Sequence, residues 1–316
     1  MRAVAPPTPA ELDAAADVVA ARLAPTPLVP APGLGEDVWL KLETLQPTGS
    51  FKVRGALAAL ARLPAGTAVV TASAGNHGLG IAWASAQLGV SATVVVPETA
   101  SPAKLAALEA FPAEVVRVGA GYDEAEADAL ERAAAGAVYV SPYNDTGVIA
   151  GQSSLGPELD SQLDGEPVTV VCSVGGGGLA SGLSLWAAGR PGARIRGVEA
   201  ERSPAFTAAL TAGAITPIEP GPTLADGLGG NLEPGSATFA LIRDGMASVA
   251  AVSEAEIEDA MRFLARAHGI VAEGAAAVAV AGVMTGRVAL QENGTTVIVV
   301  SGRNVALATL ARILAP

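Results

Sequence analysis

The stretch "PVTVVCSVGGGGLASGLSLWAAG" at residues 167–189 decides the fold. It opens with a β-branched run that is apolar at nearly every position, so the strand it predicts is covered on both faces. Four glycines follow, and then a run of small and apolar residues that reads as a helix over 179–188. Strand, glycine loop and helix in this order predict one unit of a parallel sheet with helices packed on it. The loop also has a chemical meaning. Backbone N–H groups at a helix N-terminus are unpaired and the helix dipole favours an anion there. Gly175, Gly176, Gly177 and Gly178 let the chain wrap a phosphate without side-chain interference, and Leu179 follows inside the helix.

The same alternation runs outward in both directions. Upstream, "TAVVTAS" leads into "NHGLGIAWASAQLG", "SATVVVP" into "SPAKLAALEAF", and "AEVVRVG" into "YDEAEADALERAAAG". Downstream, "ARIRGVEA" precedes a further helix and "TTVIVVSG" is a last buried strand. Thr8 and Glu11 form a capping box with Pro9 at the first helical position, and Ser253 and Glu256 form another that Gly269 terminates. "VWLKLE" alternates as a half-buried strand, which predicts a solvated polar face carrying Lys41 and Glu43. Lys104 is likewise expected in water. The prolines at 217, 220 and 222 mark a loop inside one lobe. The fold class expected is α/β, with parallel-rich twisted sheets covered by helices.

Composition narrows the function. The chain has 316 residues, half of them apolar, and a net charge of -12 with no basic run. Such a field makes nucleic acid and anionic membrane poor partners. One cysteine, Cys172, excludes an internal disulfide, and with only His77 and His268 there is no Cys/His zinc set. The apolar run from Gly274 to Met284 is too short to span a bilayer and predicts a buried helix. A cytoplasmic protein is expected.

There are sixteen arginines and only three lysines. Lys52, in "GSFKVRGA" at 49–56, sits where a cation opposes the dipole of the helix it opens. Of the two cationic side chains only the amine can shed its proton and condense with a carbonyl. Gly49 and Gly55 beside it indicate a close backbone approach. A second loop, "SAGNHG" at 73–78, also follows a strand and opens a helix, which offers a second anion site. "GGGGLA" with Glu199 at the end of the next strand satisfies a loose dinucleotide-binding pattern as well. A nicotinamide-dependent oxidoreductase is therefore the out-of-class alternative, and it leaves Lys52 and "SAGNHG" unused.

"LKLETLQPTGSFKVRGA", "SAGNHG", "GGGGL", "ADGL" and "SGRN" occur in one order, and together they resemble the fold-type II pyridoxal-phosphate enzymes. The likeness is nearest to the serine/threonine ammonia-lyases (dehydratases) and serine racemases, and runs from Thr26 to Ser301 and beyond. It implies a two-lobed, tryptophan synthase β-like fold, with a discontinuous large domain of 1–55 and 142–316 and a small domain of 56–141 inserted in it. It also implies a homodimer, an amino-acid substrate, and pyridoxal 5'-phosphate in the cleft.

Residue by residue, the resemblance makes Lys52 the Schiff-base lysine, with Phe51 packing on the ring and the loop Gly175–Leu179 holding the phosphate. Asn76 matches the residue facing the 3'-oxygen, and Ser301 the hydroxyl facing the pyridine nitrogen. Gly227 and Glu273 match positions near the ring. Ser73, Ala74, Gly75, Asn76 and His77 match the loop that takes the substrate carboxylate, with Ser73 also in a catalytic position. Ala74 stands where racemases carry a second acid/base serine, which favours elimination over racemisation. Glu199 and the backbone of Ser203 match ligands of a cation, although Ala205 replaces a usual aspartate and weakens such a site. "SPYND" and "AGQSSLGPEL" depart from the common pattern near the cleft. The activity implied is loss of water and ammonia from L-threonine or L-serine, giving 2-oxobutanoate or pyruvate. Another β-hydroxy amino acid dehydratase and a β-replacement enzyme are the alternatives within the family.

Overall fold

A computed structural model describes residues 3–315. The glycine loop joins a strand to a helix beside the larger of two separate sheets, which share ten strands between them. In the larger, β1 (Leu28–Pro30), β2 (Val38–Leu42), β7 (Val168–Ser173), β8 (Ala193–Ala200), β9 (Ser248–Val252) and β10 (Thr295–Val300) run in the order β1-β2-β10-β7-β8-β9. All its pairings are parallel except β1 with β2. The smaller sheet holds β3 (Val69–Ala72), β4 (Ala92–Val96), β5 (Glu114–Arg117) and β6 (Val138–Tyr139) in the order β5-β4-β3-β6, all parallel. Its strands come from one continuous stretch, whereas the large sheet draws on both sides of it.

Helices fill the crossovers. Before the small sheet lie α1 (Pro9–Ala20) and α2 (Lys52–Ala61), and within it α3 (Asn76–Leu88), α4 (Pro102–Glu109) and α5 (Tyr122–Ala134). After it come α6 (Thr146–Ser153), α7 (Leu155–Gln162), α8 (Gly178–Ala188), α9 (Ala205–Ala212), α10 (Ala237–Gly245), α11 (Glu254–His268), α12 (Gly274–Met284) and α13 (Leu307–Leu314). Both capping boxes form as the sequence predicts, and Gly269 ends α11 in the left-handed conformation at φ 64°. The alanine-rich 274–284 run is a helix, buried almost throughout, whose Val278 and Val280 pack against β10 and α11 residues such as Ile298 and Leu264. The other face of β7 packs on α7, α8 and α9 through Leu159, Leu183 and Phe206. This double cover is why β7 is buried at all six positions. No helix among the described residues is long and apolar enough to cross a membrane.

One expectation is overturned. Lys41 and Glu43 do not face solvent: both side chains are fully buried. The face of β2 that carries Lys41 is covered by α7, whose Glu158 and Gln162 reach Lys41, so its alternation does not mark a wet face. The charges are held by partners remote in sequence. Lys41 Nζ donates to Thr26 O at 2.7 Å, to Gln162 Oε1 at 2.7 Å and to Glu158. The Arg54 guanidinium donates to both oxygens of Glu43, each at 2.8 Å, and to Glu158 Oε2 at 2.7 Å. Lys104, in contrast, is exposed as expected, and it pairs with Asp226 at 3.3 Å.

Candidate active site

Lys52 is the first residue of α2, and Phe51 at the cap position offers no side-chain cap. The segment before it is fixed by the end of β10. Ser50 and Gly302 form an antiparallel bridge, Phe51 N donates to Ser301 O at 3.0 Å, and Arg303 N donates to Gly49 O at 2.9 Å. These contacts bring Lys52 beside Ser301, 249 positions later in the chain (301 minus 52). From the other side α3 closes on the same turn, where a Cβ added to Gly80 would lie 3.2 Å from the Lys52 carbonyl carbon.

The amine of Lys52 donates to Pro142 O at 2.8 Å and stands 5.4 Å from the centre of the Phe51 ring. Removal from water lowers its pKa to about 8, although the Glu273 carboxylate pulls it upward. In the cofactor-free protein, the pH dependence of Lys52 trinitrophenylation, followed by peptide mass, is expected to turn near 8. A midpoint in the ordinary lysine range, about 10.4, would contradict this environment.

The strip Val140–Asn144 connects the other parts. Val140 O accepts from Thr71 Oγ1 at 2.8 Å and lies 3.1 Å from His77 Nε2. Pro142 O takes the lysine, and Tyr143 packs on the glycine loop. A Cβ on Gly176 would overlap the Tyr143 ring, one on Gly175 would meet Leu228 Cα at 2.8 Å, and one on Gly177 would meet Phe206 at 2.7 Å. Gly177 also has φ 88°, a left-handed value that a side chain resists. Among the described residues none of the amides of Gly175–Leu179 has a hydrogen-bond acceptor in the chain. They form a row of donors at the N-terminus of α8, which suits a phosphate dianion.

The loop 73–77 behaves as a second such terminus. Gly75 N donates to Ser73 Oγ at 3.2 Å, Asn76 starts α3, and Gly78 is forced by the close approach of Ser73 O. His77 is buried, and desolvation together with the Lys52 charge lowers its pKa to about 3. It therefore stays neutral at pH 7, with Nε2 against Val140 O. The Ala74 methyl packs on the side of the small sheet with Leu79 and Val94. Glu273 accepts from Asn76 Nδ2 at 2.7 Å. Gly227 is exposed, and a Cβ added to it would lie 3.5 Å from the Ala275 Cβ. Lys52, the 73–77 loop, the glycine loop, Glu273 and Ser301 thus converge.

Glu199 and Ser203 serve elsewhere. The Glu199 carboxylate is fully buried and accepts from Phe206 N at 2.7 Å and from Thr207 N at 2.8 Å and Oγ1 at 2.7 Å. It caps α9, which begins at Ala205. Ser203 Oγ accepts from Gly230 N at 3.1 Å. Both carboxylate oxygens thus accept from the start of α9, and no three His, Cys, Asp or Glu side chains among the described residues group as metal ligands. Sequence reasoning assigned nothing to Asn304, Pro142 or Tyr143. Asn304 belongs to "SGRN" and Tyr143 to "SPYND", so their motifs marked them without indicating a role.

Comparison with known proteins bears on this geometry. The family described as "Pyridoxal-phosphate dependent enzyme" matches residues 19–302. An L-threonine ammonia-lyase of Thermotoga maritima is 41% identical over 286 residues, covering 89% of this chain and 70% of that protein. The catabolic L-threonine dehydratase of Escherichia coli is 35% identical, over 88% and 85%. Among solved structures, the processed form of threonine deaminase isoform 2 from Solanum lycopersicum has a TM-score of 0.87 at 30% identity, covering 99% of this chain and 96% of that one. Maize serine racemase has a TM-score of 0.90 at 27% identity, covering 98% and 97%.

Proposed function

Because the chain belongs to the pyridoxal-phosphate-dependent enzyme family, we propose that it is an ammonia-lyase converting L-threonine to 2-oxobutanoate and ammonia, and L-serine to pyruvate and ammonia. The observation that carries this reading is the dipeptide Pro142–Tyr143, which touches the Lys52 amine with one residue and the glycine loop with the next. Adjacent residues thereby touch an amine able to bind an aldehyde and a row of amides able to bind its phosphate, which supports one shared site. Bound there, pyridoxal phosphate supplies an electron sink for the negative charge that develops at the substrate Cα.

The residues divide the work. Gly175, Gly176, Gly177, Gly178 and Leu179 hold the phosphate through their N–H groups. Ser73–His77 and the N-terminus of α3 hold the substrate carboxylate, the second anion of the cleft. Lys52 holds the aldehyde carbon and, once freed by the amino acid, takes the Cα proton at Nζ. Its pKa of about 8 leaves an appreciable fraction uncharged at neutral pH. Ser301 would offer a pyridine nitrogen a neutral hydroxyl in place of a carboxylate, which would favour prompt loss of the β-hydroxyl over a long-lived negative charge on Cα. Ala74 carries no proton to return to the opposite face, which supports elimination over racemisation. The cleft is proposed to lie between a large domain of 1–55 and 142–316 and a small domain of 56–141.

The test is 2-oxo acid release, by coupled reduction with lactate dehydrogenase for threonine and serine and with malate dehydrogenase for the oxaloacetate from 3-hydroxyaspartate. Threonine and serine are expected to react without any added nucleophile. A yellow, cofactor-loaded protein inert towards all three would sink the proposal. Gly176→Ala should weaken pyridoxal phosphate binding by about 10²-fold, the order of two or three lost hydrogen bonds to a charged group, because Tyr143 must move to admit the methyl. Equilibrium dialysis measures it, and unchanged affinity would place the phosphate elsewhere.

A further inference from the structure

Glu273 stands at the cap position of α12 yet makes no side-chain cap there. Its carboxylate turns away from its own helix and is only 6% exposed. Oε1 accepts from Asn76 Nδ2 at 2.7 Å, and Oε2 accepts from Asn304 N at 3.0 Å. Asn304 Nδ2 in turn donates to Asn76 Oδ1 at 2.7 Å and to Thr48 O at 2.8 Å. The three residues close a ring. Gly302 makes room for it, since a Cβ there would lie 2.5 Å from Glu273 Oε1.

An ionised carboxylate only accepts, so it dictates which end of the Asn76 amide faces it. Nδ2 must point at Glu273 and Oδ1 at Asn304. One of the two Nδ2 protons stays uncommitted. Asn76 is also the first residue of α3, on the side of the small sheet, whereas Glu273 and Asn304 belong to the side of the large sheet.

We propose that Glu273 is a positioning residue: with Asn304 it fixes the amide of Asn76 in one orientation and ties the N-terminus of α3 to the end of β10, so that the free Nδ2 proton and the α3 amides face the bound cofactor and substrate. This inference rests on the reading of the 73–77 loop and Lys52 given under the proposed function.

The lock depends on charge. Burial is the main cause that raises the Glu273 pKa, to about 7; Asp226 adds to it, while Asn76, Asn304 and Lys104 oppose it, and Lys52 is a further charged neighbour. A protonated Glu273 turns one oxygen into a donor, and one of its two contacts is lost. The lock therefore tightens as pH rises through about 7 and loosens as it falls. The sign for stability is opposite. A carboxyl whose folded pKa is raised favours the fold while neutral, and that contribution is lost as pH rises from the unfolded value towards about 7. Glu273 is thus kept charged for positioning and against stability.

Glu273→Gln separates the two. Glutamine accepts at one position and sets an N–H against the Asn304 N–H at the other. In the holoenzyme, hydrogen exchange at amides 76–80 is expected to quicken about tenfold or more. The KM for threonine should rise with kcat little changed, and the inflection near pH 7 in pyridoxal phosphate affinity should vanish. Thermal stability should not fall at pH 8. Asn304→Ala, which removes the other half of the ring, should quicken the same amides. Unaltered exchange and an unaltered pH profile in both variants would overturn the inference. Exchange reads the lock without turnover, so faster exchange in a protein inert to every amino acid would refute the ammonia-lyase reading and leave the lock standing.

Discussion

Lys52→Ala is expected to lower ammonia release from threonine by about 10³-fold or more, with the fold retained. The size follows from the two duties of one amine. It holds the aldehyde covalently, and it takes the Cα proton; no neighbour can replace it in either. His77 is the nearest alternative base, but its pKa of about 3 makes it a poor proton acceptor at pH 7, and its Nε2 already faces Val140 O. Lys41 and Lys104 are committed to Glu158 and Asp226. Removing the side chain should not unfold the protein, because Lys52 makes one hydrogen bond, to Pro142 O, and a half-buried cation that is partly desolvated is lost with it. The variant should still hold pyridoxal phosphate through the glycine loop, more weakly, and borohydride should leave no pyridoxyl group on residue 52. Peptide mass spectrometry decides this directly. Full turnover in the variant, or an adduct on another side chain in the wild type, would remove the mechanism.

How much was legible depended on how local each signal is. The glycine loop could be read because strand, loop and helix are consecutive and the unpaired amides follow from chain geometry alone. Lys52 could be read because an amine at a helix start violates a local rule, and the resemblance then gave the violation a use. Lys41 could not. The alternation in "VWLKL" predicts a wet face when nothing packs on that side of the sheet, but α7 covers it and the polar residue is neutralised by Glu158, 117 positions away. Glu199 was open to two readings, ribose acid or cation ligand. The contacts give it a third role, as acceptor for the first N–H groups of α9. Asn304 was in view within "SGRN", but its purpose needs Asn76, 228 positions earlier, and Glu273 in the same frame. Short elements escaped for a different reason. β1, β6, α6 and α7 are each two to eight residues long, below the length at which periodicity outweighs chance.

Arg54→Met carries the largest expected effect on stability, a loss of about 3–5 kcal/mol, the range for breaking a buried ion pair from one side. Arg54 is 1% exposed and lies two residues after Lys52. Its Nε and Nη2 grip Glu43, Nη2 also reaches Glu158, and Nη1 lies 3.3 Å from Ser154 Oγ. With Lys41 the group contains two cations and two carboxylates, so it is neutral as a whole and each charge depends on the others. Burial by itself would raise the pKa of Glu43, and the Arg54 guanidinium together with Thr26 and Lys41 more than reverses this, leaving it below the usual carboxylate range. In the wild type that depressed pKa stabilises the fold above the unfolded value and is lost as pH falls. Without Arg54 the sign inverts. Glu43 keeps only Thr26, Gln46 and the distant Lys41, its pKa rises, and the variant should lose less stability at pH 5 than at pH 8. Urea unfolding at the two pH values measures this. Glu43→Gln combined with Arg54→Met should recover part of the loss, because it removes the stranded charge along with its partner. A cost below about 1 kcal/mol at pH 8 would mean that the cluster is open to water. Because the same guanidinium fixes the first turn of α2, the folded fraction of Arg54→Met should also bind pyridoxal phosphate less tightly, with Lys52 no longer held against Pro142 O.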